Sequence, residues 1–122
     1  LVNVGTIERL LASNPAPFLN TAWTPAEQQD SAGDPERLAA RWAAKESVMK
    51  ALGRGLGDVD PLDVEIMHDC DRVPVVLLHG SAARVADQAG VVTIHISISH
   101  EEGWAVAFAV LLAHQEKPLM VV

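Results

Sequence analysis

Along residues 91–99 the chain alternates strictly, with Val92, Ile94, Ile96 and Ile98 on one side and Thr93, His95, Ser97 and Ser99 on the other. That two-residue period is the mark of a strand with one apolar and one polar face. After the turn sequence HEEG a second run alternates large against small: Trp104, Val106, Phe108 and Val110 oppose Ala105, Ala107 and Ala109. It predicts a strand whose alanine side packs closely on a helix or another subunit. Two shorter β-prone runs, VEIMHD and VPVVLL, are separated by the polar DCDR and predict a hairpin, with Pro74 marking an edge or bulge. SAARVADQ predicts a helix between the two pairs.

The first half of the chain follows a helical period. In DPERLAARWAAKESVMKALG, Asp34 is placed to cap, Pro35 sits at the first helical position, the interior is rich in alanine and Gly53 stops the run. Leu38, Trp42, Met49 and Leu52 define its buried stripe, with Arg37, Arg41 and Lys45 repeating every fourth residue on an adjacent face. In TAWTPAEQQD, Thr24, Pro25 and Glu27 form a capping-box signature for a short helix. Residues 3–18 carry a weaker helical pattern through Ile7, Leu10 and Leu11, stopped by the prolines of SNPAPF. RGLGDVDPLD reads as an irregular loop. The expected architecture is α+β, a small antiparallel sheet of three or four strands packed against the long helix.

With 122 residues the chain suits one domain. Hydrophobic residues are 49% and charged ones 20%, yet no apolar run approaches the roughly 20 residues that span a bilayer, so neither disorder nor a membrane protein is expected. Aromatics are only 4% and tyrosine is absent, so the core must be built from smaller side chains and gains from self-association. A formal charge of -7 disfavours nucleic acid and anionic membranes as partners and requires any anionic ligand to be met by a local patch. The single Cys70 rules out an internal disulfide and a thiolate zinc cage. With no targeting pattern at the front, it points to the reducing cytoplasm.

The most informative position is Glu46, which falls inside the stripe that should be buried. An unpaired carboxylate there would cost several kcal/mol or take up a proton. Three readings stay open: an internal salt bridge, a buried stripe displaced by one position from this register, or a share in binding Mg²⁺, which favours carboxylates, water and phosphate oxygens. Arg37, Arg41, Lys45 and Lys50 form a basic patch on the same helix, either a solvated face or a phosphate contact. The glycines of ALGRGLG would let a phosphate approach the backbone, although the P-loop order is missing. His95, Ser97 and Ser99 share a strand face with His100 at its end. No G-x-S-x-G elbow accompanies them, and Ser99 and His100 point apart in an extended strand, which argues against a Ser–His hydrolase. Cys70 has no adjacent base to make it a nucleophile.

Taken together, RWAAKESVMKALG and HISISHEEGWAVAFAV resemble the small holo-[acyl-carrier-protein] synthases of the 4'-phosphopantetheinyl transferase superfamily, and the similarity runs through nearly the whole chain. The resemblance implies an enzyme that moves 4'-phosphopantetheine from coenzyme A to a serine of apo acyl-carrier protein in fatty acid biosynthesis. It implies that Glu46 is a Mg²⁺ ligand acting in catalysis with Lys50. Arg41, Lys45, Lys50, Gly53, Ser99 and His100 would contact coenzyme A, with Arg41 and His100 toward its 3'-phosphate and Lys50 toward its pyrophosphate. It also implies a homotrimer with clefts shared between subunits, the alanine strand and the His95 face being the expected interfaces. In that family the first strand ends G-x-D-[LIV]-V and its aspartate is the other metal ligand. This chain opens at Leu1-Val2, so residues 1–122 are expected to be one transferase domain lacking its first strand. Asp58, Asp60 and Asp63 show no spacing that marks a substitute, and Arg9 is the basic residue nearest the expected carrier-docking position. The competing expectation is a non-catalytic coenzyme A-binding or structural domain of a multidomain synthase.

Overall fold

The computed structural model describes residues 1–13, 15–53 and 57–114. A two-residue strand β1 (Val2–Asn3) leads into α1 (Val4–Ser13), α2 (Pro15–Ala22), α3 (Pro25–Ser31) and the long α4 (Pro35–Ala51). A 3₁₀ turn (Pro61–Asp63) then precedes β2 (Val64–His68) and β3 (Pro74–Leu78), followed by α5 (Gly80–Gln88), β4 (Val91–Glu101) and β5 (Trp104–Ala113). The strands form an antiparallel three-stranded sheet in the order β1-β5-β4 and a separate antiparallel hairpin of β2 and β3. The fold is the expected α+β arrangement, with α4 lying on the sheet.

Local chemistry explains the boundaries. Thr24 accepts from the Glu27 N–H while the Glu27 side chain accepts from the Thr24 N–H, closing the capping box that starts α3. Asp34 caps α4 by accepting from the Glu36 N–H. The β4–β5 turn places Glu102 and Gly103 at φ 50° and 80°, the two left-handed residues that match the twist of a tight hairpin. Gly80 is obligatory: at φ +41° an added Cβ would stand 2.7 Å from the Asp63 carboxylate, which accepts from both the N–H and the hydroxyl of Ser81.

Three details depart from expectation. The prolines of SNPAPF begin a second helix instead of only ending the first, because proline is tolerated in a first helical turn, where no intrahelical N–H bond is lost. Val92 is exposed although Ile94, Ile96 and Ile98 are partly buried, because an irregularity between Val91 and Thr93 shifts the register. The buried part of α4 is also much wider than one stripe: Leu38, Ala39, Ala40, Ala43, Ala44, Val48 and Met49 are all buried, whereas Trp42 and Leu52 are only partly so. Alanine lets neighbours approach closely on several sides. One core joins α4 to β1, α1, Trp23 and Ala105, and a second joins it to Val59, Val64, Ile66 and Ala82. Trp23 is fully buried, its indole N–H donating to the Leu38 carbonyl. Among the described residues no helix is long and apolar enough to cross a membrane.

Candidate active site

The wide burial of α4 changes the reading of its charged residues. Lys45 and Arg41 are not a solvated stripe: Lys45 is 0% exposed and Arg41 3%. The Lys45 ammonium donates to the carbonyls of Pro61 at 2.8 Å and Val64 at 2.7 Å and lies 2.7 Å from Glu27 Oε1. All three of its protons are committed. Burial draws its pKa down and the Glu27 carboxylate opposes that shift. With no exposed surface and no free proton, Lys45 has no means of contacting coenzyme A from this position. Its chemistry is to clasp α3, α4 and the segment entering β2.

Glu27 is the buried carboxylate of this fold, also 0% exposed, with Oε2 accepting from the Ile66 N–H at 3.0 Å. The capping pattern placed Glu27 at the third helical position but carried no sign of its burial. The anticipated salt-bridge partner for a carboxylate in α4 therefore exists, one residue away and with the charges reversed. Glu46 itself is only partly buried and makes no hydrogen bond or ion pair among the described residues. It lines a cavity of about 330 Å³ beside Leu1, Asn3, Thr6 and Trp42.

Arg41 faces a second cavity, of about 340 Å³, between α4, the β2–β3 hairpin and β4. The end of β4 brings His100 to the same cavity, so two residues 59 positions apart in a chain of 122 meet there. The Arg41 guanidinium pairs with Asp30, whose Oδ2 also lies 3.2 Å from His68 Nδ1. Burial pushes the Asp30 carboxyl up, but the His68 hydrogen bond and the Arg41 charge outweigh it, and the net shift is downward. Arg41 Nε is buried with no partner, an unused donor on a residue lining the cavity. His100 Nδ1 lies 3.1 Å from Glu36 Oε1. Asp30, His68 and Arg72 complete the polar wall. None was singled out from the sequence, because each comes from a different element and has no motif of its own.

The remaining candidates lie apart. Lys50 is exposed in the last turn of α4. Gly53 follows that helix at φ +73°, its N–H donating to the Lys50 carbonyl, while Gly55 of the same loop lies outside the described residues. Ser99 is exposed and pairs with Val106 across the sheet. Strand alternation turns it away from the His100 cavity. The sheet face holding Ser97 and Ser99 therefore also carries Val106 and Phe108, and the opposite face holds Ala105, fully buried against the helix layer.

The 4'-phosphopantetheinyl transferase superfamily profile matches residues 1–109. The chain belongs to the 4'-phosphopantetheinyl transferase superfamily. Over 114 residues it is 37% identical to the holo-[acyl-carrier-protein] synthase of Natranaerobius thermophilus, covering 91% of each chain. The crystal structure of Helicobacter pylori holo-[acyl-carrier-protein] synthase in complex with coenzyme A superposes with a TM-score of 0.84 at 26% identity, over 91% of this chain and 95% of that one. The Neisseria meningitidis holo-[acyl-carrier-protein] synthase gives 0.82 at 31% identity, over 91% and 92%. The resemblance read from the two motifs thus extends to the fold.

Proposed function

We propose that this transferase binds the 3'-phosphate end of coenzyme A in the Arg41–His100 cavity and acts on the pyrophosphate from the Glu46 side of α4. The reaction is transfer of 4'-phosphopantetheine from coenzyme A to a serine hydroxyl of apo acyl-carrier protein, releasing adenosine 3',5'-bisphosphate. The observation that carries this reading is the placement of a cationic cavity and an unpaired carboxylate on one rigid helix. Arg41 and Glu46 are five residues apart, which rotates them by about 140° around the axis. They open into different cavities, and that suits a site completed by a second copy of the chain.

The fit of Glu46 to a metal rests on its partly buried, unpartnered carboxylate. Among the described residues no group of three or more His, Cys, Asp or Glu stands ready to hold a metal, so a cation there draws on water and substrate phosphate, as Mg²⁺ commonly does. When bound, Mg²⁺ would neutralise charge on the pyrophosphate. Lys50, exposed one turn after Glu46, offsets charge developing on the leaving phosphate. The nucleophile is the carrier's serine. Carrier proteins of this kind are acidic, and the exposed Arg9 on α1 offers a docking charge despite the negative total.

The outer sheet face supports a homotrimer. Trp104, Val106, Phe108, Val110 and Leu112 of β5 are 41–70% exposed, and a row of large apolar side chains along one strand is the kind of surface that marks association. The alanine face of β5 is covered by α4, so the bulky face, which also carries His95, is the one that would meet other copies. The free, exposed Cys70 suits the cytoplasm, and fatty acid synthesis is the pathway we assign.

Mass spectrometry of apo carrier protein incubated with the chain, coenzyme A and Mg²⁺ tests the reaction. Addition of one phosphopantetheine group supports it, and coenzyme A binding without that addition marks a binding domain instead. Glu46→Gln should keep the fold and lower Mg²⁺-dependent transfer by about 100-fold. Near-normal turnover would remove Glu46 from the metal site.

A further inference from the structure

We propose that Arg72, in the turn of the β2–β3 hairpin, is a specificity-determining phosphate contact that lets the site distinguish a 3'-phosphorylated adenosine ligand from one without that phosphate. The inference rests on the reading of the Arg41–His100 cavity given above and adds a residue and a selectivity to it.

Basic side chains from three parts of the fold line this cavity: Arg37 and Arg41 from α4, His68 and Arg72 from the hairpin, and His100 from β4. Four of them already face a carboxylate. Arg37 Nε lies 3.7 Å from Asp34, Arg41 and His68 share Asp30, and His100 meets Glu36. Among the described residues Arg72 has no ion pair and no side-chain hydrogen bond. It is the one basic side chain of this cavity without a contact partner among the described residues, although its charge also acts on Asp30 from a longer distance. A dianionic phosphomonoester meeting only a neutralised Arg41–Asp30 pair would gain little net attraction, and Arg72 supplies the missing positive charge.

The backbone makes the same point independently. Arg72 has φ 65°, the left-handed region that favours glycine or asparagine over an arginine. The turn does not need the arginine side chain. Asp69 organises it, its Oδ1 accepting from the N–H groups of Asp71 and Val73 while its carbonyl accepts from the Arg72 N–H. A left-handed asparagine would close the same turn with less strain, so the turn itself does not call for the guanidinium. Arg72 sits at the exposed rim of the cavity, where it can meet a phosphate arriving from solvent without first breaking a pair.

Calorimetry on the full chain with adenosine 3',5'-bisphosphate and with adenosine 5'-monophosphate tests the proposal. In Arg72→Asn, which keeps the left-handed turn and removes the charge, affinity for the bisphosphate should fall by about fivefold to tenfold. Affinity for the monophosphate should stay unchanged, and the melting temperature should not drop. Arg72→Lys should retain most of the discrimination, and added salt should weaken the bisphosphate complex more steeply in wild type than in Arg72→Asn. If Arg72→Asn binds both ligands like wild type while His100→Ala loses the bisphosphate, Arg72 is no contact and the cavity reading stands. If wild type binds the bisphosphate no better than the monophosphate, the cavity reading falls and this inference falls with it.

Discussion

Lys45 and Glu46 are neighbours in sequence with opposite environments. The ammonium is sealed in the interior with three acceptors, and the carboxylate faces a cavity without a partner. Their substitutions should therefore fail differently. Lys45→Met leaves Glu27 buried and unpaired, which costs about 3–5 kcal/mol, read as a lower midpoint in urea. Glu27→Gln combined with Lys45→Met should recover part of that loss, since the amide oxygen can still accept a backbone N–H and no charge is left stranded. If Lys45→Met is as stable as wild type, the clasp contributes nothing. A helical wheel gives these two the opposite assignment, Glu46 inside and Lys45 outside, because the wheel assumes one buried stripe, and a helix made largely of alanine is enclosed on several sides.

At the level of elements, the strand alternation, both capping sequences and the hairpin were readable because each is a local pattern with a direct physical cause. The Arg41 cavity was only half readable. Arg41 and His100 were recoverable from family motifs, but Asp30, His68 and Arg72 reach it through the packing of α3 and the hairpin on α4, which no local pattern encodes. That packing has a steric limit. Ala105 is fully buried where β5 meets β1 and α4, so Ala105→Leu should destabilise the fold by about 1–3 kcal/mol through overpacking, measured by denaturant unfolding.

Carboxylates at the joints between elements give the fold an acid limit. Hydrogen bonds from Ser81 hold Asp63 down against burial, the Thr24 hydroxyl does the same for Glu65, and Asp30 is also net lowered. Each binds a proton less readily folded than unfolded, so stability from these groups is complete above their ordinary values of 3.8 and 4.5 and is lost as pH falls through the folded values. Melting temperature should be flat with respect to these groups from about pH 6 down to pH 5 and decline below about pH 4. A midpoint that rises on acidification would contradict the assignment.

For the whole molecule, the sheet has one face committed to α4 and one bearing bulky apolar side chains in water. The scarcity of aromatics points to that need for company, and the family resemblance names the final strand and the His95 face as interfaces; His95 pairs with Val110 on the outer face, while the alanine face of β5 goes to the helix. Alternation identifies two faces without saying which one the chain's own helix takes, which is why the alanine side was open to either a helix or another subunit. Phe108 is 70% exposed, so, on the proposed trimer, Phe108→Asp should leave the monomer folded while shifting light-scattering mass from trimer to monomer and abolishing transfer. An unchanged mass would place the contact elsewhere.

The Lys45 clasp also bears on how the chain is held together along its length. One ammonium inside α4 grips the carbonyls of Pro61 and Val64, so both sides of the connecting segment are fastened beyond its ends. The exposed Gly57 and Asp58 lie within that fastened interval. A backbone cut between them would yield two pieces that stay docked through the clasp and the second core, each carrying part of the chemistry. The clasp thus predicts that residues 1–57 and 58–122 re-associate when mixed, read by co-elution on gel filtration.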